Sequence, residues 1–225
     1  VQDSPEKIHK DSQAKDHLTF QLQTLVGQPK THLDVISAYF VPADIGTEAL
    51  INLKKHGMRV RVLTHSYAAN DVGIVHAFYA KRRVELLKNG IELYEFLPQL
   101  NNVQRRYFRK DRIRALAGSP TAKNNSKSLG IGDSSDASLH AKMMIFDREQ
   151  AFVGSFNFDP RSANLNTEVG VVLNSKLLAS QVAKDLDNSI LNIAYRVTLD
   201  KNGKMIWEEY TPEGIKIHTS EPSLK

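Results

Sequence analysis

The sequence predicts an α/β fold, a mixed and mostly parallel sheet flanked by helices, and three observations point there. Strand-like and helix-like patterns alternate through the first hundred residues with short connections, as strand-helix-strand crossovers require. The 225 residues are 41% hydrophobic and 24% charged, enough apolar side chain for a sizeable core. The longest stretch without Asp, Glu, Lys or Arg covers residues 17–29, shorter than the ~18 apolar residues of a membrane-spanning helix, so a transmembrane function is excluded for this chain.

Taken in order, residues 7–26 read as an amphipathic helix, because Leu18, Leu22 and Leu25 recur at helical spacing and Gly27 to Pro29 stop it. Residues 32–41 read as a strand and 44–56 as a helix with Ile45, Ala49, Leu50 and Leu53 inward, ended by Gly57. A strand over 58–66 precedes a helix over 71–89 that is capped by Asn70 or Asp71 and closed by Gly90; residues 91–97 form a third strand. Periodicity then stops. Residues 98–135 read as a mobile loop, with eight basic residues against only Asp111 between 104 and 127, in a chain of net charge +5. Such a segment attracts polyanions: phospholipid headgroups, nucleic acid or phosphorylated substrates.

Three strands follow over 139–146, 151–158 and 167–174, then a helix over 177–193 with Leu178, Val182, Leu186, Ile190 and Ile193 on one stripe. A small C-terminal β-hairpin is signalled by Asn202-Gly203, with a further short strand near 215–219. These patterns divide the chain into a main unit over 1–195 and a β appendage over 196–225. The absence of cysteine removes disulfides, thiol nucleophiles and thiolate-zinc sites. The first residues, without an initiator Met or a signal pattern, read as those of an internal fragment or a processed chain.

The chemistry concentrates in 139–170. On a strand, His140 and Lys142 share a face, Asp147 ends it, and Gly154, Ser155 and Asn157 place small polar groups on the next strand. If those strands pair, an imidazole, an ammonium, a hydroxyl and an amide converge, a set suited to a phosphodiester.

The pattern HxKxxxxDxxxxxxGSxN, met by His140, Lys142, Asp147, Gly154, Ser155 and Asn157, resembles the HKD signature of the phospholipase D superfamily. The stretches YFVPADIG, LTHSYAANDVGIVHAFYAKRRVELLKNGIELYE and DPRSANLNTEVG extend the resemblance to the C-terminal half of bacterial two-motif enzymes of the cardiolipin synthase C type. It implies an αβα sandwich whose catalytic unit is residues 1–195. It implies that His140 is either the nucleophile, forming a phosphohistidine, or the general acid for the leaving alcohol. Lys142, Ser155 and Asn157 would bind phosphoryl oxygens and Glu168 would hold the histidine ring, with Asp147 a catalytic-motif residue in a supporting place. No cofactor and no metal is implied, since Lys142 and Asn157 supply the charge stabilisation.

The superfamily site uses two such motifs and this chain has one. The second half-site would come from an N-terminal half or from a homodimer. The activity implied is phosphatidyl transfer between phospholipids, with phospholipase D-type hydrolysis or a homodimeric metal-independent nuclease as alternatives. The nucleic-acid alternative finds only Tyr107 and Phe108 as stacking aromatics in the basic segment. Anionic lipid headgroups at a membrane surface are the implied partners, and the cytoplasmic face of a bacterial inner membrane, held peripherally, is the implied location. Tyr39, His65 and His76 are candidates to line the substrate site, each against the plainer alternative of a packed or loop residue.

Overall fold

The computed structural model of the chain describes residues 1–9, 13–70, 72–98 and 139–223. The basic segment predicted as a loop therefore lies outside the described residues. The N-terminal stretch is not one helix: 3-10 turns at Pro5–Ile8 and Ala14–Asp16 precede α1 (Leu18–Val26). Ser4 and Pro5 start the first turn, and the Asp3 carboxylate, which accepts from the Leu18 N–H at 2.6 Å, caps α1 from a distance. Gly27, at φ 71, ends α1 in a conformation that glycine adopts without strain.

Then follow β1 (His32–Ser37), α2 (Ala43–Lys55), β2 (Arg59–His65), α3 (Gly73–Lys88) and β3 (Glu92–Phe96). Asn70 closes the turn before α3 by accepting the Val72 N–H at 2.8 Å, while Asp71 lies outside the described residues. After residue 138 come β4 (Lys142–Phe146), β5 (Gln150–Gly154), α4 (Pro160–Asn164), β6 (Gly170–Leu173), α5 (Lys176–Ile193), β7 (Ala194–Leu199), β8 (Met205–Thr211) and β9 (Gly214–His218). Among the described residues the strands form one sheet in the order β6-β5-β4-β1-β2-β3-β7-β8-β9.

The expectation of a mostly parallel sheet is corrected. Only β1–β2 and β2–β3 are parallel, because only they are joined by helical crossovers; the other six pairings are antiparallel. β4 enters beside β1 running the other way, the short β4–β5 turn reverses the chain again, and the longer β5–β6 connection, which carries α4, returns it antiparallel beside β5. The C-terminal strands are not a detached hairpin, since β7 pairs with β3 and β8–β9 continue the same sheet.

Helices α1 to α3 cover one face over Leu22, Leu33, Leu50, Val62, Leu86 and Phe152. α5 covers the other face over Ile36, Leu63, Met143 and Ile145. Its buried stripe is Ala179, Ala183, Leu186, Ile190 and Ile193; Leu178 is exposed, because two alanines bring the helix backbone close to the sheet and turn its first turn outward. Ile45, expected inward on α2, is 85% exposed, since Thr47, Leu50 and Ile51 take the buried face. Under α5 the fully buried Arg61 pairs with Asp34 at 2.7 Å and with Asp187 at 2.8 Å, and Arg148 ties the β4–β5 turn to the same Asp187. No helix among the described residues is long and apolar enough to cross a membrane.

Candidate phosphodiester site

Antiparallel entry of β4 decides where the chemistry collects. Ser37, the last residue of β1, stands opposite Lys142, the first of β4, and Gly154, the last of β5, stands opposite Gly170, the first of β6. The carboxyl ends of β1, β2 and β5 and the amino ends of β4 and β6 therefore form one edge. His140, Lys142, Ser155, Asn157 and Glu168 belong to it, and so do Tyr39 and His65.

His140 is exposed two residues before β4, not within a strand as predicted, and its carbonyl accepts from the Lys142 ammonium at 3.1 Å. Half-burial pulls Lys142 below the ordinary lysine pKa, a shift that the charges of Glu168 and Asp159 oppose without cancelling.

Ser155 follows β5 and is locked against β6. Its N–H donates to the Val169 carbonyl at 2.9 Å, its Oγ accepts the Val169 N–H at 3.0 Å, and its hydroxyl donates to the Glu168 carboxylate. Glu168 is 7% exposed and is held at its backbone by Asp3 (2.8 Å) and at its side chain by the Asn166 amide (3.3 Å). Asn157 accepts from the Tyr39 N–H at 3.4 Å and donates its own N–H to Ser162 at 3.3 Å.

Three positioning residues carry no motif signal. Ser37, fully buried, donates to the Tyr39 carbonyl at 2.6 Å and accepts the Phe158 N–H at 2.9 Å, so it ties the segment after β1 to the loop bearing Asn157. Lys7 and Asp3 form a buried pair at 2.6 Å; Lys7 also donates to the carbonyls of Ser162 (2.7 Å) and Asn166 (2.8 Å), bracing the loop that delivers Glu168. The four-residue spacing of Asp3 and Lys7 is their only trace in the sequence.

Asp147 is not at this edge. It sits in the β4–β5 turn at the far end of β4, about 16 Å from Lys142 along the strand. Its carboxylate accepts the N–H groups of Lys30 (2.8 Å), Thr31 (2.7 Å) and His32 (3.0 Å) and the Thr31 hydroxyl (2.9 Å). Burial pushes this carboxyl up, but those donors outweigh it and hold it below the usual carboxylate range. Although Asp147 belongs to the motif of the catalytic residues, its carboxylate is engaged with the start of β1 and not with the edge that carries Lys142.

Of the candidate lining residues, Tyr39 and His65 meet at the edge with ring centroids 6.0 Å apart. His76 is turned inward instead. It pairs with Glu221 at 2.7 Å and packs on Tyr67 and Tyr79, beside a buried cluster in which Glu95 accepts from Arg83 (3.0 Å), Tyr79 (3.1 Å) and Trp207 (2.8 Å). Asp159 caps α4 by accepting the N–H groups of Arg161 and Ser162. Among the described residues no group of three or more His, Cys, Asp or Glu side chains is arranged to hold a metal ion.

The family model described as "Cardiolipin synthase, PLD-like domain" matches residues 22–190. Cardiolipin synthase C of Escherichia coli (strain K12) is 36% identical over 223 residues, which is 99% of this chain and 43% of that protein. In fold, the chain is similar to a phospholipase D family member, NUC from Salmonella typhimurium (TM-score 0.51, 18% identity, 80% of this chain and 90% of that one). It is also similar to phosphatidylserine synthase from Haemophilus influenzae Rd KW20 (TM-score 0.53, 16% identity, 80% and 36%). The chain spans less than half the length of the curated relatives it matches.

Proposed function

The chain belongs to the phospholipase D-like family of cardiolipin synthase domains, and we propose that it supplies one half-site of a phosphatidyltransferase acting between phospholipids. The observation that carries this reading is the convergence of His140, Lys142, Ser155, Asn157 and Glu168 on one sheet edge.

In the first step an imidazole nitrogen attacks phosphorus; the P–N bond forms, the P–O bond to the first alcohol breaks, and that alcohol leaves with a proton from a second histidine. In the second step the acceptor hydroxyl gives its proton back to that histidine and attacks phosphorus, and the P–N bond breaks. His140 fills one of these two roles. Lys142 and Asn157 take the phosphoryl oxygens as charge builds, and Glu168 steadies the edge through Ser155 while supplying a carboxylate for an imidazolium. The other histidine comes from a second half-site, which the greater length of the relatives supports. The catalytic unit is residues 1–195, with 196–225 extending and shielding its sheet. The protein works peripherally at a bacterial inner membrane, where acceptor choice alone separates transfer from hydrolysis.

The test is transfer and hydrolysis of a fluorescent phosphatidylglycerol, with chelator present, by the protein that carries both half-sites and turns the lipid over, beside the same protein with His140→Asn. Turnover lost by at least about 10³-fold in the variant is the expected result. Turnover unchanged in His140→Asn refutes the assignment.

A further inference from the structure

A cleft of about 1030 Å³ lies between α1 and α2 on the face of the sheet opposite α5. Its floor is Leu33 of β1 with Met144 and Phe146 of β4, and its walls are Val26 of α1 with Ala49 and Leu53 of α2. It is the size and character of a small-molecule site, mostly apolar with a few polar groups. Two features give it a direction. One end is formed by Phe156 and Phe158, the residues on either side of Asn157, and by Asp159, whose charge acts on the Lys142 ammonium. The other end, at Lys30 and His56, lies at the opposite edge of the sheet.

From Lys30, just before β1, to Phe158, whose N–H is held by Ser37 at the end of β1, the cleft runs about 16 Å or more. One leaflet of a bilayer's hydrocarbon core, the depth an acyl chain fills, is about 15 Å. Ile45 lines the cleft and is 85% exposed, an apolar lip without cover among the described residues.

We propose that this cleft holds one acyl chain of the phospholipid whose phosphate lies at the Lys142–Asn157 edge. The inference rests on the reading of that edge as a phosphatidyl-transfer site. The chain would leave the phosphate past Phe158 and lie along β1 and β4 under α1 and α2, so that the cleft fixes how the lipid is presented.

The test is calorimetric titration of the full chain with monoalkyl phosphates of four to twelve carbons, kept below their micelle concentrations, and with 1-alkanols of the same lengths. Each methylene that enters an apolar site tightens binding about fourfold. The expected result is a Kd that falls at about that rate with length, with each phosphate tighter than its alkanol. In Ala49→Trp the slope disappears while inorganic phosphate binds unchanged, because Ala49 is an exposed wall residue and the indole fills the cleft without displacing the core. A flat series in the parent chain, an equal slope in Ala49→Trp, or alkanols as tight as phosphates would each overturn the proposal. Failure of the transfer reading shows separately, as turnover unchanged in His140→Asn.

Discussion

Gly154→Ala should uncouple the two halves of the phosphate edge. A methyl group at Gly154 would lie 2.4 Å from the Val169 carbonyl oxygen and 2.7 Å from the Gly170 Cα. Both are backbone atoms of the segment paired with β5, so no side-chain rotation relieves the contact and the strands must part. Two hydrogen bonds stand in the way, from the Ser155 N–H to Val169 and from the Val169 N–H to the Ser155 hydroxyl. Losing or stretching them costs about 1 kcal/mol each, and overpacking adds about 1–3 kcal/mol. A total of about 3–5 kcal/mol lowers Tm by about 6–20 °C in a chain of this size. Phosphate affinity should fall with it, because Ser155 and Glu168 move apart. Gly170→Ala is the control: its methyl would meet the Phe152 ring at 2.2 and 2.5 Å, so adding Phe152→Leu should recover part of that loss but little of the Gly154→Ala loss. A Gly154→Ala protein melting within about 2 °C of the parent would refute the reasoning.

Two other substitutions test groups remote from the edge. Asp147→Asn should cost about 1–2 kcal/mol at neutral pH, the range of a lost capping carboxylate. The Asp147 pKa is depressed in the folded state, so its contribution is present above the unfolded pKa near 4 and lost as pH falls through the folded value. Urea midpoints of the two proteins should therefore converge below about pH 4, and a gap independent of pH would contradict this account. Glu95→Ala leaves the buried Trp207 and Tyr79 donors without their shared acceptor, with Glu221 still paired to the Arg83 guanidinium, and should cost about 2–5 kcal/mol. Phosphate affinity measured well below Tm should not change, because Glu95 faces the interior and not the edge.

The crossover half of the fold is legible because each strand and helix there has a face with a period. The loss of legibility begins where register replaces periodicity. Nothing local in residues 142–146 tells that they run antiparallel beside 33–37, a partner more than a hundred residues away. The β4–β5 turn hides for another reason: Asp147 and Arg148 both have positive φ (53° and 58°), the backbone of a tight hairpin turn, yet neither is the glycine that signals one. The N-terminal segment fails in the opposite way. Its leucine spacing suits one long helix, but the Asp3 carboxylate accepts from the Leu18 N–H, and a straight helix over 7–26 would by itself hold residue 7 about 16 Å from Leu18.

The motif itself is legible as a spacing before it is legible as roles. Its lysine and aspartate are separated by the length of β4, and its aspartate and glycine by the turn and the length of β5, so the fixed gaps are those of a hairpin. Asp147 pins one end of that hairpin to the backbone of residues 30–32, which sets Phe146 against Leu33 and, four residues on, Lys142 against Ser37. A slip of one residue would turn Lys142 to the other face of the sheet and carry the Asn157 loop away from Ser37. The aspartate therefore belongs to the signature through register, acting from about 16 Å away on the place of Lys142. It follows that Asp147→Asn should weaken phosphate binding only as far as it loosens the hairpin, with Lys142→Ala weakening it directly and without the same loss of stability.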